Sequence, residues 1–148
     1  MEIKEALVEL NLYRKTKKRM SYIKERIAEL QLRMYSLGGA GEVSVQGGVK
    51  DEKVISLLDK IKEYRDELLA TESYSLCVQN DIERKIYKLR EPYCSVLRGY
   101  YVESKSLEKL AVELNYSFDG VKSIRYRGVK LYAELPALYQ QENYKEIL

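Results

Sequence analysis

Ser106-Leu107-Glu108-Lys109-Leu110-Ala111-Val112-Glu113-Leu114-Asn115-Tyr116-Ser117-Phe118-Asp119-Gly120-Val121-Lys122-Ser123-Ile124-Arg125-Tyr126 decides how this chain folds. Two short helices that cross steeply over a tight turn need a small residue at the crossing, and Ala111 supplies one. Leu110, Leu114, Val121 and Ile124 supply the apolar contacts on either side. Asn115 falls where the turn needs left-handed backbone, which asparagine tolerates better than most residues. Ser106 and Ser117 are placed to cap the two helices, and Asp119 suits the positive end of the second. Tyr116 is expected to tuck under the turn. The stretch therefore predicts a helix-turn-helix, with its second helix running from Ser117 to about Leu135.

So oriented, the second helix turns Phe118, Asp119, Lys122, Ser123 and Tyr126 outward. Arg125, Arg127 and Lys130 lie along its flanks or further on. Lys and Arg bind phosphates and guanine edges, and Ser and Asp read or position bases, so this front suits a DNA major groove. Together with Ser117, these residues are the candidate DNA-binding site. The plainer alternative is a solvated helix with ordinary surface charge. Gly120 inside this helix is expected to cost about 1 kcal/mol relative to alanine, and Gly128 to loosen it further.

Upstream, Ile3, Leu7, Leu10, Tyr13, Met20, Ile23, Ile27, Leu30, Met34 and Leu37 recur at helical spacing from about Glu2 to about Leu37. The one longer gap holds the basic run Arg14-Lys15-Thr16-Lys17-Lys18-Arg19. That run is either a solvated face or a contact to nucleic acid backbone. A glycine-rich connection follows at 36–50. A second stripe begins near Asp51 and reads Val54, Leu58, Ile61, Tyr64, Leu68, then a weaker patch, then Val78, Ile82, Ile86 and Leu89. Matched lengths predict an antiparallel hairpin, closed within one chain or between two. Pro92 marks a boundary near Glu91, and Pro136 ends the last long helix. The expected fold is all-α: a helical hairpin over 1–90, the helix-turn-helix module over 91–135 and a tail over 136–148.

Composition narrows the chemistry. The chain has 148 residues, a formal net charge of +3 and no histidine, which removes histidine acid/base and metal-ligand roles. Cys77 and Cys94 are too few and too far apart for a cysteine metal site, and are expected to be reduced, half-buried helix residues. The Gly38–Gly48 stretch lacks the Gly-Lys-Ser/Thr ending of a phosphate loop. Neither a catalytic activity nor a cofactor or metal is expected. No apolar run approaches a membrane span, and the start does not read as a signal peptide, so a cytoplasmic protein is expected. Of the fourteen tyrosines, Tyr93, Tyr100, Tyr101, Tyr116, Tyr126 and Tyr132 lie in the C-terminal module. They are expected mostly as core residues with their hydroxyls at the surface, rather than as stacking platforms.

Tyr93 through Glu103, with Ser106 through Ala111 and Leu114 through Ser117, resembles region 4 of sigma-70 type factors. More closely, the chain is similar to phage and prophage regulators of Gram-positive bacteria related to the ArpU and RinA families. The resemblance covers about residues 82–132. It implies that the helix from Ser117 enters a promoter-like site on double-stranded DNA, with Lys122, Ser123 and Tyr126 facing bases or phosphates. Gly120 and Gly128, the latter where those regulators often carry alanine, depart from the pattern. The expected function is sequence-specific DNA binding in transcription regulation of phage or prophage genes. The hairpin would set the spacing of a homodimer or contact RNA polymerase. Two rivals stand beside it: an adaptor or inhibitor acting on RNA polymerase or a sigma factor, and a DNA-packaging component of the small terminase kind.

Overall fold

The structure, a computed structural model, describes residues 1–38 and 49–138. These residues form helices joined by short turns and loops, with no strand among them. The elements are α1 (Ile3–Gly38), α2 (Val49–Ile86), α3 (Tyr93–Leu97), α4 (Leu107–Leu114) and α5 (Phe118–Ala133). Between α3 and α4, Arg98–Val102 forms a π-helical turn. Most of the glycine-rich connection, and the tail beyond Leu138, lie outside the described residues. No helix among the described residues is long and apolar enough to cross a membrane.

The chain packs as two compact units. One is Thr16–Tyr74, the facing parts of α1 and α2. The other joins Met1–Lys15 to the chain from Ser75 onward. By packing, therefore, the ends of both long helices belong with α3, α4 and α5.

In the Thr16–Tyr74 unit, Met20, Ile23, Leu30 and Ile61 are buried. Arg19 pairs with Glu67, and Arg26, further along α1, lies beside Tyr64, further back along α2. The two helices are therefore antiparallel, and this hairpin closes within one chain. The gap expected after Tyr13 is bridged by Thr16, which is buried and restores the three-four spacing to Met20. Leu58, expected on the seam of α2, is instead 48% exposed, and its neighbour Leu57 is half-buried. Leu57 fits because Val54, Leu57, Ile61, Tyr64 and Leu68 alternate steps of three and four, which keeps one face toward the partner helix. Ile3, at the first turn of α1, is also exposed.

In the other unit, Leu10 and Tyr13 of α1 and Val78, Ile82 and Ile86 of α2 are buried with residues of α3 and α5. α2 ends at Ile86, a turn before the expected boundary. Lys88 and Leu89 donate to the carbonyls of Lys85 and Ile86, which tightens and closes the helix there. A polar knot crosses this core. Glu9 is buried, and its Oε1 accepts from Lys85 Nζ and from the Tyr132 hydroxyl. Its Oε2 accepts from the Leu138 backbone N–H at 2.9 Å. Burial lowers the Lys85 pKa against the pull of Glu9, and burial raises that of Tyr132. The knot ties α1, α2, α5 and the segment after α5 to one carboxylate, so both oxygens of that buried group have partners. The N-terminal ammonium donates to the Ala133 carbonyl at 2.9 Å, which fixes the start of the chain to the end of α5.

Candidate nucleic-acid interface

α4 and α5 are built by their caps. Ser106 Oγ accepts from the Lys109 N–H at 3.1 Å and starts α4. Asn115 ends α4 in the left-handed region, at φ 59°, and the Tyr116 N–H reaches back to the Ala111 carbonyl at 3.0 Å. Ser117 Oγ then accepts from the Gly120 N–H at 3.0 Å and starts α5. Two side-chain caps and one left-handed residue thus reverse the chain within a few positions.

Val96, Leu110, Ala111 and Val121 form the core between these helices, with Tyr100, Leu107, Leu114 and Ile124 packed against it. Two glycines leave room for leucine side chains of neighbouring elements. A Cβ on Gly99 would lie 2.4 Å from Leu110 Cδ2, so the Leu110 side chain packs directly on the backbone of the π-helical turn. A Cβ on Gly128 would lie 3.2 Å from Leu97 Cγ. Gly128 is therefore a buried contact between α5 and α3 rather than a loose point. Gly120 sits in the first turn of α5 with its N–H on the Ser117 cap, not in the helix interior.

The two sides of α5 divide cleanly. Val121, Gly128, Val129, Tyr132 and Ala133 are buried. Phe118, Asp119, Lys122, Ser123, Tyr126, Arg127 and Lys130 are exposed along the opposite side. Phe118, Lys122, Tyr126 and Lys130 follow one another at i, i+4 spacing, aromatic and basic in turn. Lys122 Nζ lies 5.6 Å from the Phe118 ring centroid and Lys130 Nζ lies 4.4 Å from that of Tyr126. Among the described residues no carboxylate pairs with Lys122, Arg127 or Lys130.

Two of the expected site residues are committed elsewhere. Ser117 is exposed, but its hydroxyl oxygen holds the cap. Arg125 is half-buried, and its guanidinium lies 4.7 Å over the Tyr100 ring. Position 125 follows Val121 by one turn, at the edge of the buried side, which draws its side chain inward. Tyr116, expected beneath the turn, is 43% exposed. Tyr101 and Tyr132 are core residues, but the Tyr132 hydroxyl is buried on Glu9 rather than at the surface, and Tyr126 is 56% exposed. Of the cysteines, Cys94 is buried and Cys77 exposed.

Arg14 was not legible as part of this region. Its guanidinium lies 4.3 Å over the Tyr100 ring and donates to the Tyr100 carbonyl. Arg14 and Arg125 therefore share one tyrosine, although 86 residues separate Arg14 from Tyr100. Nothing local in the sequence announces such a contact. The basic run is thus divided in use: Arg14 stacks and Arg19 pairs with Glu67, while Lys15, Lys17 and Lys18 are exposed.

Behind the turn, charges are paired. Arg98 meets Glu83 and Glu103, and Lys105 meets Glu103 and Glu113. The hydrogen bond from Lys105 holds the Glu103 carboxyl below its ordinary pKa. Lys122, Arg127 and Lys130, on the exposed side of α5, carry no such pair among the described residues. Among the described residues no three cysteine, aspartate or glutamate side chains gather as a metal site would require. No protein-family model, curated protein or solved structure matches the chain.

Proposed function

We propose that this chain is a sequence-specific DNA-binding regulator of transcription, of the phage or prophage kind that its sequence resembles. α4, the Asn115 turn and α5 act as a helix-turn-helix, and α5 enters the major groove. The observation that carries this reading is the exposed side of α5, where Lys122, Arg127 and Lys130 stand without carboxylate partners among the described residues, beside Ser123 and Asp119. Cations left unpaired on a helix anchored along its other side can release counterions from DNA phosphates. Ser123 and Asp119 supply hydrogen-bonding groups for base edges, with Asp119 suited to accept from a cytosine amine. Two copies would address half-sites one or two DNA turns apart. Action in the cytoplasm, on phage or prophage genes, belongs to the same reading.

A second reading has its own support. Phe118 and Tyr126 are 42% and 56% exposed on this same side, and the net charge of the chain is only +3. Exposed aromatics suit a protein partner, so an adaptor or inhibitor that grips RNA polymerase or a sigma factor is the rival.

Selection from random duplex DNA at two salt concentrations separates them. The DNA reading expects one enriched sequence, weakened by salt and by the double variant Lys122→Ala/Arg127→Ala. No duplex binding at low salt overturns it, and capture of purified RNA polymerase by the wild type then supports the rival.

A further inference from the structure

The seam between α1 and α2 carries its flanking charges in rungs. Arg19 on α1 pairs with Glu67 on α2, as charges beside a helix seam ordinarily do. The helices are antiparallel, so one heptad further along α1 faces one heptad further back along α2. The next rung is therefore Arg26 with Lys60, and the one after it Arg33 with Lys53. The first rung joins opposite charges. The next two set cation against cation, and like charges that face each other repel.

A cleft of about 420 Å³ opens on this seam within the Thr16–Tyr74 unit, and Arg26, Arg33 and Lys60 all line it. Arg33 also lines the neighbouring cleft, with Lys53. Two carboxylates line the larger cleft: Glu67, held by Arg19, and Glu63. Arg26 pairs with Glu29, but its Nε is buried without a hydrogen-bond partner. Among the described residues Arg33, Lys53 and Lys60 have no ion-pair partner.

We propose that this cleft binds a chain of linked phosphate groups, free or carried by a nucleoside. An anion between the facing cations turns their repulsion into attraction. Successive rungs lie about 10.5 Å apart along the helix axis, a spacing that suits linked phosphates serving two rungs. Arginine grips a phosphate through two parallel N–H donors, and lysine adds a point charge. Leu30, buried at the same cleft, gives it a low-dielectric wall, which strengthens the field of the cations. The volume is that of a small-molecule site rather than of a surface that follows a duplex. Tyr64, half-buried at the cleft, offers a ring on which a base can stack. The inference stands on the Thr16–Tyr74 unit alone and does not rest on the DNA reading.

Calorimetric titration of the full chain with tripolyphosphate and with ATP, at physiological ionic strength and without magnesium, tests it. At least one of the two is expected to bind at one site per chain and to raise the Tm. Lys60→Glu turns a cation rung into an ion pair, so this variant should melt no lower than the wild type. It should nevertheless weaken binding by about tenfold or more, the worth of one charge-assisted contact. Lys62→Glu makes the same charge change at an exposed position outside the cleft, where salt screens it, and should cost far less. Equal affinities assign the site to the phosphate chain itself. Tighter binding of ATP assigns it to a nucleotide, and Tyr64→Leu should then remove the difference. Absence of saturable binding to both ligands overturns the inference, as does unchanged affinity in Lys60→Glu. So does an equal loss in Lys60→Glu and Lys62→Glu, which would be general charge attraction. Loss of binding in Lys122→Ala/Arg127→Ala also overturns it, because the ligand would then sit on α5.

Discussion

The Tyr132 hydroxyl donates to Glu9 Oε1 at 2.6 Å, across 123 residues of sequence, and the same oxygen accepts from Lys85. Breaking a buried ion pair by removing one partner typically costs about 3–5 kcal/mol, because the remaining charge stays buried and unpaired. Glu9→Ala and Lys85→Met are each expected to destabilise the chain on that scale in urea unfolding. The double variant should lose less than the sum, since no unpaired charge remains.

The same knot sets the behaviour in alkali. Burial raises the pKa of Tyr132, and also of Tyr101 and Tyr74. Above the ordinary tyrosine value of about 10, these groups ionise in the unfolded chain but stay protonated in the fold, so stability falls as pH rises. Lys85, with its pKa lowered, acts in the opposite sense: below the ordinary lysine value of about 10.4 its unfolded form binds more protons, and stability grows with pH. The tyrosine loss is therefore read above that value. Tyr132→Phe should flatten it by about 1.4 kcal/mol per pH unit, one proton's worth. An unchanged slope in the variant would remove Tyr132 from the account.

Gly99 has a definite steric job. Gly99→Ala would drive a Cβ to 2.4 Å from Leu110 Cδ2, and overpacking of this kind costs about 1–3 kcal/mol. Leu110→Val in the same chain should recover part of the loss, measurable as a coupling between the two positions. Gly128→Ala is a milder case. It gains about 1 kcal/mol of helix propensity but must press Leu97 back from 3.2 Å, so its net change should stay below that gain.

Legibility in the sequence followed the range of the interaction. Ser106, Asn115 and Ser117 could be read because a cap or a left-handed turn acts within three or four residues, and the structure places all three in those conformations. Ala111, Leu110 and Val121 could be read because spacing fixes the side they face. The seam of α2 was ambiguous at Leu57-Leu58, where either leucine satisfies an apolar pattern and only the partner helix chooses. Glu9 with Lys85, and Arg14 with Tyr100, are polar pairs from distant segments, and a polar residue in a helix ordinarily reads as surface. Gly128 read as a weak point because propensity is local, whereas its close approach to Leu97 is not. Arg125 read as a free cation for the same reason: the Tyr100 ring that holds it comes from another segment.

The turn between α4 and α5 gives a separate test. Left-handed backbone costs an ordinary L-residue about 1–2 kcal/mol, and glycine nothing. Asn115→Gly should therefore match or exceed the wild type in thermal stability, and Asn115→Ala should fall below it. Ser117→Ala removes the oxygen that accepts from Gly120 and should cost about 1 kcal/mol. A rise in stability for Asn115→Ala would contradict the left-handed turn.

Phe118, the only phenylalanine in the chain, is exposed at the first position of α5. Residues at the start of a recognition helix reach base edges, and phenylalanine suits the thymine methyl group. On the DNA reading, replacing one thymine by deoxyuridine in the selected site should weaken wild-type binding several-fold. Phe118→Ala should be insensitive to the same exchange, because the side chain that felt the methyl is gone. Lys122→Ala and Arg127→Ala should behave differently from Phe118→Ala. Each removes a phosphate contact, so the slope of log affinity against log salt should drop by about 0.9 per residue. Arg125→Ala should leave that slope alone and lower the melting temperature instead, because its guanidinium is spent on Tyr100. If Phe118→Ala keeps the deoxyuridine effect, another residue reads the methyl, and α5 lies in the groove in a different register.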